Sequence, residues 1–214
     1  MYTHDSTLTR LPSSGTIGVN DLAATSKSCG EGRARLQCFD AILAGYYGLG
    51  IIPNFRAAKL WDPADAEADG LSASIRHWTA FYRQHAAARP SGAPGVLLAT
   101  RTVHLHRPDS RSLEAVVHLS ADDSAPTRAL VSLFNPTPRT LRQNVSVPLY
   151  YAGLAPGVEV RVAQLPGPSL PGLPPPTVAA PANYTVGSGN AALYSIVLPI
   201  VQAPSSYSMF SISV

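Results

Sequence analysis

Long apolar runs are what this sequence most plainly lacks. No stretch of about 18 or more uninterrupted apolar residues occurs, so no segment is suited to cross a bilayer as a helix. The opening, MYTHDSTLTRLPSSGTIGVN, holds no apolar signal core, and as written the chain carries no secretory address. Charge is also sparse: Asp, Glu, Lys and Arg supply 14% of the residues and the net charge is +3. The basic residues are scattered, without a Lys/Arg run or interleaved aromatics, which speaks against nucleic acid as a partner. Cysteine is limited to Cys29 and Cys38. They would close a short loop as a disulfide in an oxidising compartment, or stay as two thiols, and the sequence leaves both open. Nothing nearby completes a four-ligand zinc set. A phosphate cradle is missing too: "GLGIIPN" lacks the spacing of a dinucleotide turn. Neither a nucleophile elbow nor a Ser/His/Asp arrangement is recognisable, so no cofactor is expected.

What is there is apolar and punctuated. The chain has 214 residues, enough for one large domain or two modest ones, and 45% are hydrophobic, enough to build a core. With 16 Gly and 20 Pro it favours many short elements joined by turns over long helices.

Residues 1–35 are polar, rich in Ser, Thr and Gly and without period, and read as an irregular arm. Residues 36–94 form an α/β piece. It opens with LQCFDAILAGYYGLGII, an almost continuous apolar segment of the kind buried on both sides. Its glycines split it into a helix over 36–46 and a short buried strand over 49–53. Asp62-Pro63 then announces a helix over about 63–88. The Asp62 carboxylate can accept from an idle N–H of the first turn, and Pro63 lacks the donor that would be idle there. Leu71, Ile75, Trp78, Tyr82 and His85 follow on one face. Pro90 and SGAPG end the element.

From residue 95 to 214 the period is two. Strands are expected over 96–106, 113–119, 129–135, 140–149, 158–164, 184–187, 192–200 and 207–214, with Gly, Pro, Asp and Asn turns between them. Short strands at this spacing form an antiparallel β-sandwich. The stretch 166–183, PGPSLPGLPPPTVAAPAN, cannot donate regular ladder bonds and reads as an extended surface loop. The expected fold is therefore mainly β: a C-terminal sandwich of about eight strands behind a small α/β piece.

Several residues are candidates for chemistry. Asp40 and Asp62 are the carboxylates of the α/β piece; Asp62 suits a cap and Asp40 a partner for a nearby Arg. Arg56, just past a buried strand, could grip sugar hydroxyls through its planar fork, or pair with Asp62 or Asp65. Trp61, Tyr46-Tyr47 and Tyr150-Tyr151 could stack on sugar rings, or fill the core. Strand alternation would send one ring of Tyr150-Tyr151 inward and the other outward. His104 and His106 share a face of one strand and His118 lies on the next, as metal ligands or as two half-exposed sheet histidines. Asn144-Val-Ser146 and Asn183-Tyr-Thr185 are N-glycosylation sequons.

"GIIPNFRAAKLWD", 50–62, the helix containing "HWTAFYRQH", "LHRPDSRSLEAVVHLS", 105–120, and "ALVSLFNPTPRTLRQNVSVPLYYAGL", 129–154, together carry a resemblance. They are similar to the end of the catalytic barrel and the following β-sandwich of large melibiase-like (α-galactosidase-like) glycoside hydrolases. Phe55-Arg56, Leu60-Trp61-Asp62, Arg107–Asp109 and Phe134–Thr137 match the family's turns and strand ends, with Ser110 where the relatives have a turn glycine. The resemblance covers residues 40–154 and implies that the α/β piece is the last part of a (β/α)₈ barrel. It also implies carbohydrate as the partner and an extracellular location for the full-length relatives.

Space then decides the role. A (β/α)₈ barrel needs about 250 residues, and only residues 1–94 precede the sandwich here. Hydrolysis of a glycoside takes two facing carboxylates, which in the barrel families come from strands further upstream. The expected function is that of a non-catalytic C-terminal structural module, a truncated product of a glycoside hydrolase gene. The alternative is a stand-alone secreted carbohydrate-binding sandwich, which would need exposed aromatics on one face. Nothing in the sequence specifies an oligomeric state.

Overall fold

A computed structural model describes residues 16–18, 31–51, 54–56, 68–87, 95–98, 101–106, 109–172, 178–188 and 192–214. The first elements follow in βαβα order: β1 (Thr16–Gly18), α1 (Arg33–Gly48), β2 (Asn54–Arg56) and α2 (Ala68–Ala86). β1 and β2 pair in parallel, Ile17 opposite Phe55, as strands joined through a helix do. So the arm read as irregular contains one short strand.

α1 begins three residues before its expected start and ends two after its expected end. Leu36, Phe39, Leu43, Tyr46 and Tyr47 recur at helical spacing and are buried. The expected strand over 49–53 does not form at its start. Gly50 N–H bonds to the Tyr47 carbonyl (3.0 Å) and Ile51 N–H to that of Tyr46 (3.0 Å), so the helix end captures both residues. Gly50 sits at φ 73°, which a residue with a side chain would adopt only with strain. The strand comes later, as β2.

On α2 the predicted stripe is buried at Leu71, Ile75, Trp78 and His85, with Phe81 taking a deeper place than Tyr82. The proposed cap at Asp62-Pro63 lies outside the described residues. A 3₁₀ turn, Val96–Leu98, then replaces the start of the first expected β segment, and Val96 and Leu97 are buried beside α2.

Eight strands follow, all antiparallel: β3 (Arg101–His104), β4 (Glu114–Leu119), β5 (Ala129–Phe134), β6 (Leu141–Pro148), β7 (Glu159–Leu165), β8 (Ala182–Thr185), β9 (Ser195–Gln202) and β10 (Tyr207–Ser213). They form one six-stranded sheet, β3-β4-β5-β10-β7-β8, and one two-stranded sheet, β6-β9. The fold is thus mainly β: among the described residues, an eight-stranded antiparallel sandwich with two helices.

The layers explain the sequence patterns. Ala115, Val117, Leu119, Val131, Leu133 and Ile212 point from the large sheet toward Val145, Val147, Ile196, Leu198 and Ile200 of the small one, forming the inner core. The other face of the large sheet is covered by α1 and α2, against Leu130, Phe134 and Met209. β4 and β5 are therefore buried at every position, whereas β6 alternates between core and solvent. At Gly48 an added Cβ would lie 2.8 Å from Met209 Cε and 2.9 Å from Ser132 Oγ, so only glycine lets the end of α1 touch the sheet.

The Asn-Pro-Thr-Pro turn after β5 is held by one side chain. Asn135, fully buried, donates from Nδ2 to the carbonyls of Arg139 (2.7 Å), Ala203 (2.8 Å) and Gln202 (3.1 Å). Its Oδ1 accepts from Thr137 N–H (2.9 Å) and Thr137 Oγ1 (2.8 Å). One amide thereby ties the β5–β6 turn to the β9–β10 turn. Ser110 adopts φ 58°, a left-handed backbone that a residue with a side chain takes up rarely.

Candidate functional site

A buried polar cluster lies in the seam between the helices and the sheet. Asp40 projects from α1 and is 6% exposed. Its Oδ1 accepts from Ser74 Oγ (2.7 Å) and Trp78 Nε1 (2.7 Å) of α2. Its Oδ2 accepts from Tyr207 OH (2.5 Å) at the start of β10. The Arg partner expected for Asp40 is thus replaced by three uncharged donors, because the helix faces inward there and meets side chains of α2 and β10.

Burial raises the Asp40 carboxyl above its ordinary pKa, against the downward pull of the three hydrogen bonds. Burial and the nearby Asp40 carboxylate push the Tyr207 phenol up. Burial lowers His77, with Asp40 pulling it back. Around the carboxylate, Trp78 stacks on Tyr47 and meets Tyr207 and Phe81 edge-on, with centroids 5.2–6.3 Å apart. Among the described residues, Asp40 is buried beside these rings and both its oxygens are taken by donors. It works as a pin joining α1, α2 and β10.

The histidines separate. His118 is buried, with Nε2 2.9 Å from the Gly48 carbonyl and Nδ1 3.1 Å from Thr102 Oγ1. A carbonyl can only accept, so Nε2 carries the proton and Nδ1 receives the Thr102 hydroxyl. Burial lowers its pKa and favours this neutral form. His118, on the strand next to His104, thus serves as a second pin onto α1, since both faces of β4 are covered. His104 is exposed and His106 partly so. Among the described residues no group of three His, Cys, Asp or Glu side chains is placed to hold a metal ion.

At the other end of the sandwich the aromatics come to the surface. Tyr150 and Tyr151 lie in a 3₁₀ turn, Tyr150–Ala152, and are 61% and 37% exposed. The one-in, one-out expectation fails because the strand period ends at Pro148. Tyr194, from the loop before β9, joins them: Tyr150 meets Tyr151 at 5.5 Å and Tyr194 at 5.3 Å, both nearly perpendicular. The Arg101 guanidinium carbon sits 4.8 Å from the centre of the Tyr151 ring. Between the sheets, an open cleft of about 210 Å³ is lined by Val162, Tyr184, Leu198, Ile200 and Phe210, among others.

The other expected site residues fall as follows. Arg56 ends β2. Trp61, Asp62 and Cys29 lie outside the described residues. Cys38, half-buried on α1, is disulfide-bonded. Asn144 is exposed on β6 and Asn183 on β8. Sequence reasoning missed Ser74, Tyr194 and Tyr207. Ser74 falls beside the α2 stripe and Tyr207 at a strand start, positions with no local mark of a shared partner.

Architecture and sites together define a mainly β, sandwich-bearing protein with a helical layer on one face. No family model matches the chain, and no curated protein matches it either. A distant structural neighbour is a glycoside hydrolase, the type I pullulanase of Bacillus subtilis str. 168, solved in complex with maltose. The two share 8% identity at a TM-score of 0.45, over 86% of this chain and 24% of that one. The chain thus spans about a quarter of that protein's length, and a likeness of this size bears on neither substrate nor chemistry. It lends nothing specific to the melibiase-like resemblance.

Proposed function

We propose that the chain is the non-catalytic C-terminal module of a carbohydrate-active glycoside hydrolase of the melibiase-like kind. The observation that carries this reading is the Asp40 seam. The buried Asp40 carboxylate is taken up in joining two helices to the start of β10. A sheet that receives the last helices of a barrel in this way stabilises the barrel. In a complete barrel Arg56 and Trp61 would lie near the sugar. Secretion, a Cys29–Cys38 disulfide and glycans on Asn144 and Asn183 belong to the same proposal. The bonded state of Cys38 and the exposure of both asparagines support it.

The test is turnover. The 214-residue chain is expected to release no nitrophenol from a panel of nitrophenyl α- and β-glycosides. Turnover abolished by Asp40→Asn would overturn the proposal. The genomic sequence upstream is expected to continue in frame into further βα units; a stop codon and promoter there would count against it.

A further inference from the structure

The corner built from Tyr150, Tyr151, Tyr194 and Arg101 has no part in the seam, and its chemistry points to a ligand. Aromatic surface left in water forgoes about 25 cal/mol for each Å² that burial would remove, so a cluster of rings at the surface marks an interaction site. These rings are also held in place. Leu149 N–H donates to the Tyr194 carbonyl (2.6 Å), fastening the end of β6 to the start of β9. Gly153, at φ 72°, closes the 3₁₀ turn, and its N–H bonds to the Tyr150 carbonyl (2.9 Å). The two edge-on contacts of Tyr150 and the guanidinium over Tyr151 fix the ring directions. A rigid corner of tyrosines offers a large contact area with little freedom to lose on binding.

The composition selects the ligand. Three ring faces suit apolar C–H surface, whereas three phenol hydroxyls and the fork of Arg101 ask for hydroxyl partners around its edge. An acyl chain would waste the polar rim, and a wholly polar solute would waste the rings. A pyranose has both parts: a face of C–H bonds and a girdle of hydroxyls. We propose that this corner is a carbohydrate-binding platform that seats a sugar ring against Tyr150, with Tyr151 and Tyr194 as its sides and Arg101 at its rim. The platform does not rest on the module reading, because a stand-alone binding protein could carry it equally well.

Affinity gel electrophoresis of the full chain tests this, with pullulan, galactomannan or xyloglucan cast into the gel. At least one polymer is expected to retard the chain. Tyr150→Ala and Tyr194→Ala are each expected to weaken retardation about tenfold, while Tyr150→Phe keeps most of it. All three changes fall on two surface residues, so melting temperatures should stay at the parent value; should one alanine variant unfold, the other reads the platform alone. Free migration through all three polymers overturns the proposal, as does retardation that survives both alanine substitutions. Neither result touches the turnover assay that tests the module reading.

Discussion

The two faces of the six-stranded sheet are built by different rules. The inner face meets β6 and β9 mainly through aliphatic side chains, an interface that needs volume and alternation, with one hydrogen bond between the sheets from Ser208 Oγ to Gln202 Oε1 (2.7 Å). The outer face meets the helices through apolar residues too, but also through Asp40, His118 and Ser132, each hydrogen-bonded across the gap. Apolar contact is non-directional and sets how much surface is buried. Hydrogen bonds are directional and set where the helices come to rest. The inner face should therefore tolerate changes of shape, and the outer face should not tolerate loss of a partner.

Four experiments would break or sharpen that contrast. The largest effect belongs to Asp40→Ala, which strands the Ser74, Trp78 and Tyr207 donors in the seam. A loss of about 3–5 kcal/mol is expected in urea unfolding, and a loss below about 1 kcal/mol would show that the seam is held by apolar contact alone. Next comes Asn135→Ala, which removes the tie between two turns. About 2–4 kcal/mol should disappear, with faster hydrogen exchange at the Thr137 and Ser205 amides.

On the inner face, Leu133→Met keeps the volume and should cost less than about 1.5 kcal/mol. A larger cost would mean that the aliphatic core is as specific as the seam. The smallest change should be a gain: Ser110→Gly relieves a left-handed backbone and is expected to add about 1 kcal/mol, read as a higher Tm.

Acidity discriminates between the faces without removing an atom from the core. The His118 pKa is lowered on folding, so the unfolded chain binds its proton first. Its stabilising contribution is present above the ordinary histidine value of about 6.5 and is lost as pH falls below it. His77 and His85 act in the same direction. The raised Asp40 carboxyl acts in the opposite direction, so the His118 share is read by difference. His118→Gln should remove part of the loss of stability between pH 7 and 5, and an unchanged pH dependence would remove His118 from the list of pins.

Most of the fold was legible because its code is local. The strands of the sandwich lie within a few residues of where alternation and turn residues put them, and α2 carries the stripe read from Leu71, Ile75 and Trp78. The departures have local causes as well: the backbone bonds at the end of α1 take Gly50 and Ile51 from the expected strand, and the 3₁₀ turn after Pro148 takes Tyr150-Tyr151 out of alternation. The candidate sites were less legible. Asp40 looked like half of an ion pair, since no spacing rule links it to Tyr207, 167 positions away. Tyr194 reaches Tyr150 only through the pairing of β6 with β9.

By itself the sequence determined the class of each segment, the inner core and the turns, because period, proline and glycine act on neighbouring residues. The tertiary structure alone decided which buried acid meets which donors and which tyrosines share a corner. Those contacts join strands and helices far apart in the chain, and their geometry exists only once the sheets have paired and the helices have docked.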